Sequence, residues 1–287
     1  KVRGLLVAPD GYTLGICDSA QIECRILAWL AGEDKLIQGF KDGEDIYSAF
    51  ATKLFGHLVC KPVDDDPEPV QKLLKIERGF GKDTILGAGY GMGPDRFYDN
   101  CISNAGLRPL FDSGEYGYVF VCKLIKTYRT TYNKIVQFWY DVEKAFKWVV
   151  KHPRSNVKVG ILKFYNDGHV VSITLPSGRE LYYTGCALSP KRQELKCEHG
   201  KLYGAMIVEN IVQSVSRDLL TYWIRLTEEQ GMKVVMHTYD ETVTLLPEDT
   251  AEAHLVAIAD IMTRNPDWSE GLPLGVDSGL SKRYIKL

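Results

Sequence analysis

Two places in this chain put carboxylates where apolar strand patterns stop. Asp18 follows "TLGIC", and Asp240 and Glu241 stand between "VVMHTY" and "TVTLL". An ionised carboxylate at a strand end is costly to bury without water, a cation or a metal beside it. Two such acids brought together repel each other unless positive charge lies between them. Mg²⁺ answers that need, because it takes hard oxygen ligands and keeps positions open for water and substrate phosphates. Taken singly, each acid reads just as simply as a solvated turn carboxylate. A third stretch, "ERGFGKDTILGAGYGMGPD" from Glu77 to Asp95, packs six glycines around Arg78, Lys82 and Tyr90. Its glycines at 87, 89, 91 and 93 miss the G-x-G-x-x-G spacing. Ile76 stands where a P-loop needs its first glycine, and Asp83 follows Lys82. On a helix Lys75, Arg78 and Lys82 share one face; alone, such a triad is a solvated basic face.

The elements that must position these residues follow from periodicity. "GLLVAPDGYTLGICD" reads as two short strand runs around a Pro-Asp-Gly turn. "SAQIECRILAWLAG" has helical spacing, with Ile22, Ile26, Leu27 and Leu30 on one stripe and Gly32 as its stop. "DIYSAFATKLFG" continues as helix, and the acidic "KPVDDDPEP" is a solvated loop. Val70 to His152 is mostly helical and rich in lysine and aromatic residues. "HVVSITLPSGRELYYTG" is a hairpin turning at Ser177-Gly178, and a long helix spans about Ala205 to Glu229. The strand pair "KVVMHTYDETVTLL", a last helix and an irregular "GLPLGVDSGLSKRYIKL" close the chain. Strands at both ends with helices between them imply an α+β fold.

Length and composition agree with one large domain or two modest ones. The chain has 287 residues, 45% of them hydrophobic, which is enough to bury a real core. It has no internal repeat, no signal-peptide pattern and no apolar run near the ~20 residues that span a bilayer, so no membrane role is expected. Seven scattered cysteines suit reduced thiols in a cytoplasm. Cys186, Cys197 and His199 match no zinc spacing and read as thiols and a loop histidine. A net charge of −2 argues against a wholly basic nucleic-acid coat but leaves room for a basic cleft. The chain opens "KVRGLLVAPDGY" without methionine, like a trimmed piece of something longer.

Neighbouring residues change how the three stretches read. "DSAQIECR" resembles the D-Y-S-Q-I-E-L-R of motif A in family A DNA polymerases. Arg78, Lys82, Leu86, Tyr90 and Gly91 keep the spacing of that family's motif B, R-x3-K-x3-[FY]-x3-Y-G. "YDE" resembles the H-D-E of motif C, and the three occur in the family's order. "DIYSAFATKLFG", "ENIVQSVSRDLL" and "WSEGLPL" are similar to its flanking segments, and "YGAMIVENIVQ" to bacteriophage members. The resemblance implies a palm with an antiparallel sheet backed by helices and a mainly helical fingers insertion. Residues 1–32 and 156–287 would be palm, and 33–155 fingers.

The resemblance also implies roles. The reaction would be template-directed transfer of a nucleotide from a dNTP to a primer 3′-hydroxyl, which needs positioning and charge neutralisation rather than covalent help. Asp18, Asp240 and the main-chain carbonyl of Ser19 would hold two Mg²⁺ ions, with Mn²⁺ as a substitute, and Glu241 would support the site from its edge. Arg78 and Lys82 would grip the triphosphate through their side chains, Lys82 also counting as catalytic, with Gln21 and Tyr47 near the nucleotide. Leu86 and Tyr90 would lie beside the sugar and base pair, and Glu23 would be the gate that rejects a ribose hydroxyl. Gly91, Arg25, Asn210 and Gln213 would meet primer-template DNA, the last two in the minor groove. Lys123, Lys126, Arg129 and Lys134, interleaved with Tyr128 and Tyr132, suit either a phosphate-and-stacking surface or a solvated helix face over core aromatics.

Some positions depart from the family. Ser19 and Ala20 replace Tyr-Ser, Leu86 replaces an aromatic, and Tyr47 and Tyr239 replace histidines. Asn210 and Gln213 are one residue closer than in N-x3-Q. A thumb, an exonuclease-like domain and the T-G-R-L-S-S segment have no counterpart in these residues. The expectation is therefore the catalytic half of a larger or split polymerase, with an upstream thumb and exonuclease polypeptide as partner, in a host cytoplasm if phage-encoded. The alternative is a primer-template-binding module without catalysis.

Overall fold

The acids of the first and last parts of the chain meet on one sheet. The computed structural model describes residues 3–191 and 193–286. Internal contacts divide the chain into two compact units. The first takes the chain up to Ile26, the segment Thr174–Arg179, and everything from Ile211 on; the second is Leu27–Ile173 with Glu180–Asn210. Against boundaries expected at residues 32 and 155, residues 27–32, 156–173 and 180–210 group by compactness with the helical part.

Elements in chain order are β1 (Tyr12–Ser19), α1 (Ile22–Ala31), α2 (Asp34–Lys41), α3 (Ile46–Phe55), α4 (Glu68–Ala88), α5 (Pro94–Ser103), α6 (Arg108–Asp112), α7 (Tyr118–Thr131) and α8 (Asn133–Lys151). There follow β2 (Asn156–Val159), β3 (Leu162–Asn166), β4 (Val170–Thr174), β5 (Glu180–Thr184), β6 (Ala187–Leu188), β7 (Leu195–Cys197) and β8 (Gly200–Leu202). The chain ends with α9 (Gly204–Glu229), β9 (Lys233–Thr238), β10 (Glu241–Pro247), α10 (Ala251–Met262) and β11 (Val276–Ser281).

In the first unit four strands form an antiparallel sheet in the order β11-β1-β10-β9. Side chains alternate across such a sheet. Thr242 meets Met262 of α10, which puts that face under the helix. The other face carries Leu14, Ile16 and Val243, packed with Ala8, Tyr284, Met236 and Leu245. Two expectations need correction here. The run before the Pro-Asp-Gly turn is a 3₁₀ turn, Arg3–Leu5, and a lone bridge from Val7 to Arg283, because Leu5, Leu6 and Val7 have no strand to lie against. The closing segment, read as irregular, contains the edge strand β11.

The second unit is mainly helical. α3 and α4 pack closely around Ala51, Val59 and Leu74. Phe55, Phe80, Phe111, Tyr116 and Phe120 form a connected aromatic cluster, centroids 4.6–6.4 Å apart, beside α4 and α7. The expected hairpin is present with Gly178 at φ 86°, but as part of a four-stranded sheet, β2-β3-β4-β5, followed by a three-stranded one, β6-β7-β8. Those extra strands were missed because they are short and polar on alternate positions.

Candidate active site

In the first unit the register of β1 decides the site. Asp18 sits opposite Glu241 on β10 and Asp277 on β11, and Glu241 sits opposite Thr238 on β9. Directly paired residues share a face, so three carboxylates form a row across the sheet. Asp240 belongs to the two-residue turn between β9 and β10, entered through a left-handed Tyr239 at φ 55°. The Ser19 N–H donates to the Asp240 carbonyl at 3.2 Å, which ties the end of β1 to that turn.

The electrostatics match this crowding. Asp18 is pushed up from 3.8 to about 6, first by burial and then by the charges of Asp240, Glu241 and Asp277, with Lys286 easing it. Asp240 is also raised, by burial and then by Glu23 and Glu241. Glu241 has a different fate: it is 5% exposed, accepts a hydrogen bond from the Tyr284 hydroxyl and faces Arg3 at 3.6 Å. Arg3 lies over the Tyr284 ring. Glu241 is thus anchored at the sheet rather than free in the turn. Ser19 Oγ and Gln21 Oε1 are buried without partners among the described residues.

The segment after β1 is braced. Gln21 adopts a left-handed φ of 55° before α1 begins. Arg25 donates from Nε to the Ala20 carbonyl at 2.7 Å and from Nη1 to the Pro273 carbonyl at 3.3 Å. A Cβ on Gly275 would lie 2.8 Å from that guanidinium, and the Gly275 carbonyl accepts from the Ala20 N–H at 2.9 Å. Arg25 therefore locks the turn after Asp18 to the lead-in of β11. A cavity of about 510 Å³ opens beside it, lined by Ile22, Glu23, Gln213, Ser216, Arg217, His237, Tyr239 and Asp240. Glu23, Gln213 and Asp240 are brought together there as expected residues. Asp277, Arg217 and His237 are additions that no motif flagged.

In the second unit α4 presents the motif B side chains. Arg78 forms a two-pronged pair with Asp45, 2.6 and 3.1 Å, and lies over the ring of buried Tyr47. Burial raises the Asp45 acid, yet the Arg78 and Ser48 hydrogen bonds pull it below its ordinary value. Lys82 and Leu86 are exposed and Tyr90 is half-buried. Gly91 has a structural reason of its own: φ is 80°, and a Cβ would come 2.7 Å from Ala205. Asn210 donates to the Tyr183 hydroxyl at 3.1 Å. Of the two readings of α7 and α8, the structure has the solvated helix face over core aromatics. Tyr128 and Tyr132 are buried against Phe50 on the same stripe as Val121, Leu124 and Ile125, while Lys134 pairs with Asp34. Lys123, Lys126 and Arg129 form the solvated face.

Among the described residues no group of three His, Cys, Asp or Glu side chains is arranged to hold a metal ion, and no helix is long and apolar enough to cross a membrane. An antiparallel sheet with paired acids at its strand ends, and a second unit that is mainly helical, make this an α+β protein. The sequence pattern of DNA polymerase family A matches residues 1–148, and the chain belongs to that family. It is 33% identical to the DNA polymerase of Bacillus phage SP02 over 99% of its own length and 43% of that protein's. It is 35% identical to the thermostable DNA polymerase I of a Thermus thermophilus strain over 99% of this chain and 28% of that enzyme. The POL domain of Pol1 from M. smegmatis, solved in complex with DNA primer-template and dNTP, shares the fold with a TM-score of 0.66 at 18% identity, over 99% of this chain and 42% of that one. The chain therefore spans less than half of these relatives.

Proposed function

We propose that this chain carries the catalytic centre for template-directed DNA synthesis, transferring a nucleotide from a dNTP to a primer 3′-hydroxyl. The observation that carries the reading is the meeting of Asp18 with the Asp240 turn on one sheet, with both acids raised by burial and by neighbouring carboxylates. Crowded, half-buried acids gain from a divalent cation. A pair of carboxylates completed by water and substrate phosphates is how Mg²⁺ commonly binds. Asp18, Asp240 and the main-chain carbonyl of Ser19 are the groups that would hold Mg²⁺, or Mn²⁺ in its place. Bound there, it would supply positive charge for the attacking hydroxyl and the departing pyrophosphate.

The remaining work belongs to the chain itself. Glu23, at the rim of the cavity that holds Asp240, is positioned to crowd a sugar, and Gln213 across it offers an amide to a base edge. On α4 the exposed ammonium of Lys82 is free to meet a triphosphate. Arg78 would exchange Asp45 for phosphate, a swap of one two-pronged acceptor for another. In this reading the first unit acts as palm and the helices of the second as fingers. Primer-template DNA and dNTP are the partners, and an upstream polypeptide with thumb and exonuclease-like domain supplies further grip. Seven free cysteines support work in a reducing cytoplasm, that of a host if the gene is a phage's.

Primer extension with Mg²⁺ and four dNTPs tests the reading, using the chain alone and with a thumb-bearing upstream fragment. Asp18→Asn and Asp240→Asn should abolish extension while DNA binding stays equal or tightens. Normal extension by either variant sinks the two-acid assignment. The engagement of Arg78 by Asp45 favours one second reading, a primer-template-binding module without catalysis. Mg²⁺-dependent dNTP binding separates the two, since only the catalytic reading requires it.

A further inference from the structure

Two cavities of the first unit meet at Arg217 on α9. One, of about 510 Å³, contains Asp240, Glu23, Gln213 and His237. The other, of about 600 Å³, is lined by Ser177, Arg179, Asp218, Thr221 and Trp268. Arg217 borders both, is exposed, and among the described residues its guanidinium has no ion-pair partner. Asp218 is already taken by the tip of the β4–β5 hairpin: Arg179 Nε donates to it at 2.6 Å, Ser177 Oγ donates as well, and Arg179 Nη2 reaches the Ser214 carbonyl at 2.8 Å. The carboxylate next to Arg217 in sequence is thereby engaged by Arg179, and the Arg217 guanidinium stays exposed between the two cavities.

We propose that Arg217 is the central phosphate contact of a track for the primer strand that starts at Asp240 and runs along α9 to the hairpin tip. The proposal rests on the polymerase reading and adds to it a site for the phosphodiester backbone. A forked guanidinium suits phosphate oxygens. The acids Glu23 and Asp240 in the first cavity would repel a strand passing between them, so a free cation at the exit offsets that repulsion. Such contacts fix register and carry no sequence information. His237 lines the first cavity and Trp268 the second, so an imidazole and an indole ring flank Arg217 along the groove.

Fluorescence anisotropy of a labelled primer-template, read from 50 to 200 mM KCl, tests this on the chain and its Arg217→Lys, Arg217→Ala and Arg217→Glu variants. Arg217→Ala should weaken binding roughly three- to tenfold at low salt and lower the salt slope by about one counterion, for any sequence. Arg217→Lys should keep most of the slope, and Arg217→Glu should bind worst. Primers with one neutral methylphosphonate near the 3′ end add a readout that a folding defect would not produce. One position should weaken the wild type and leave Arg217→Ala unaffected. If the wild type binds and extends primers while the variants match it in affinity and slope, the track is wrong and the polymerase reading stands. The track is equally wrong if the methylphosphonate effect persists in Arg217→Ala. A folded wild type that neither binds nor extends, even with the upstream fragment, overturns both.

Discussion

Two glycines inside the Arg78–Lys82 segment of α4 should answer the same substitution with opposite signs. At Gly79 nothing lies within 4 Å of an added Cβ. At Gly81 the added Cβ would stand 2.3 Å from the carbonyl oxygen of Tyr47 on α3 and 3.2 Å from the Ala51 Cβ. Alanine outscores glycine in a helix interior by about 0.8–1 kcal/mol, so Gly79→Ala should stabilise by roughly that amount. At Gly81 the same gain is outweighed. The obstacle is backbone, no rotamer relieves it, and α3 and α4 must part by about 1 Å; overpacking of this kind costs about 1–3 kcal/mol. At roughly 2–4 °C per kcal/mol in a chain of this size, Gly79→Ala should melt about 2–4 °C higher and Gly81→Ala several degrees lower. Thermal melts by circular dichroism, run in parallel with urea titrations, measure both. Gly81→Ala should also loosen the packing that sets Arg78 against Tyr47 and raise the KM for dNTP, whereas Gly79→Ala should not. Equal shifts of the same sign would show that close helix approach does not decide the residue at 81.

In the metal-free protein Asp18→Asn should raise the melting temperature at pH 7.5 by about 2–5 °C, once the rise to about 6 is discounted for solvent around a half-buried carboxylate. The sign follows from a folded pKa above the unfolded one: ionisation is disfavoured in the fold, so the wild type loses stability as pH climbs from about 4 through 6. The advantage of the variant should therefore vanish below pH 4, and melts across pH 4–8 will show whether it does. Asp45→Asn removes the partner of Arg78 and should cost about 1–2 kcal/mol near neutral pH. Because Asp45 is held below its ordinary value, the gap to wild type should close in acid, in urea titrations at pH 3 against pH 7. Arg25→Ala leaves the Ala20 and Pro273 carbonyls without their guanidinium and should destabilise by about 1–3 kcal/mol, with Arg25→Lys recovering only part of it in the same melts.

The legible parts of this molecule were those where one local pattern suffices. The stripe Ile22, Ile26, Leu27 and Leu30 announced α1, and Gly32 ends it at φ 63°. The β9–β10 hairpin was legible because apolar alternation brackets a two-residue turn. The tyrosines at 128 and 132 left two readings open because basic residues alternate with them in sequence, while burial puts them with the aliphatic stripe. The partners of Arg25 were not legible for a related reason: a motif supplies a residue type and place but not its partners, and here two carbonyls from opposite ends of the chain accept from it. β11 was invisible because Asp277, Ser278 and Gly279 give it little strand propensity; it is a strand because β1 offers it an edge.

That edge changes the chemistry of the site. Asp240 and Glu241 are adjacent in sequence, yet the turn gives one to the cavity and the sheet gives the other to Tyr284 and Arg3. The neighbours that raise Asp18 are thus one acid from the turn and two from flanking strands. Of these, Glu241 faces a cation of its own, whereas Asp277 is exposed on the edge strand. Substituting Asp277 should consequently relieve Asp18 without disturbing the anchor beneath it. Asp277→Asn should move the pH at which Asp18→Asn ceases to stabilise toward ordinary carboxylate values, by less than a full unit because burial is the larger cause. An unchanged pH midpoint in the Asp277→Asn background would mean that the register pairing of β1 with β11 brings the two backbones together without coupling their charges.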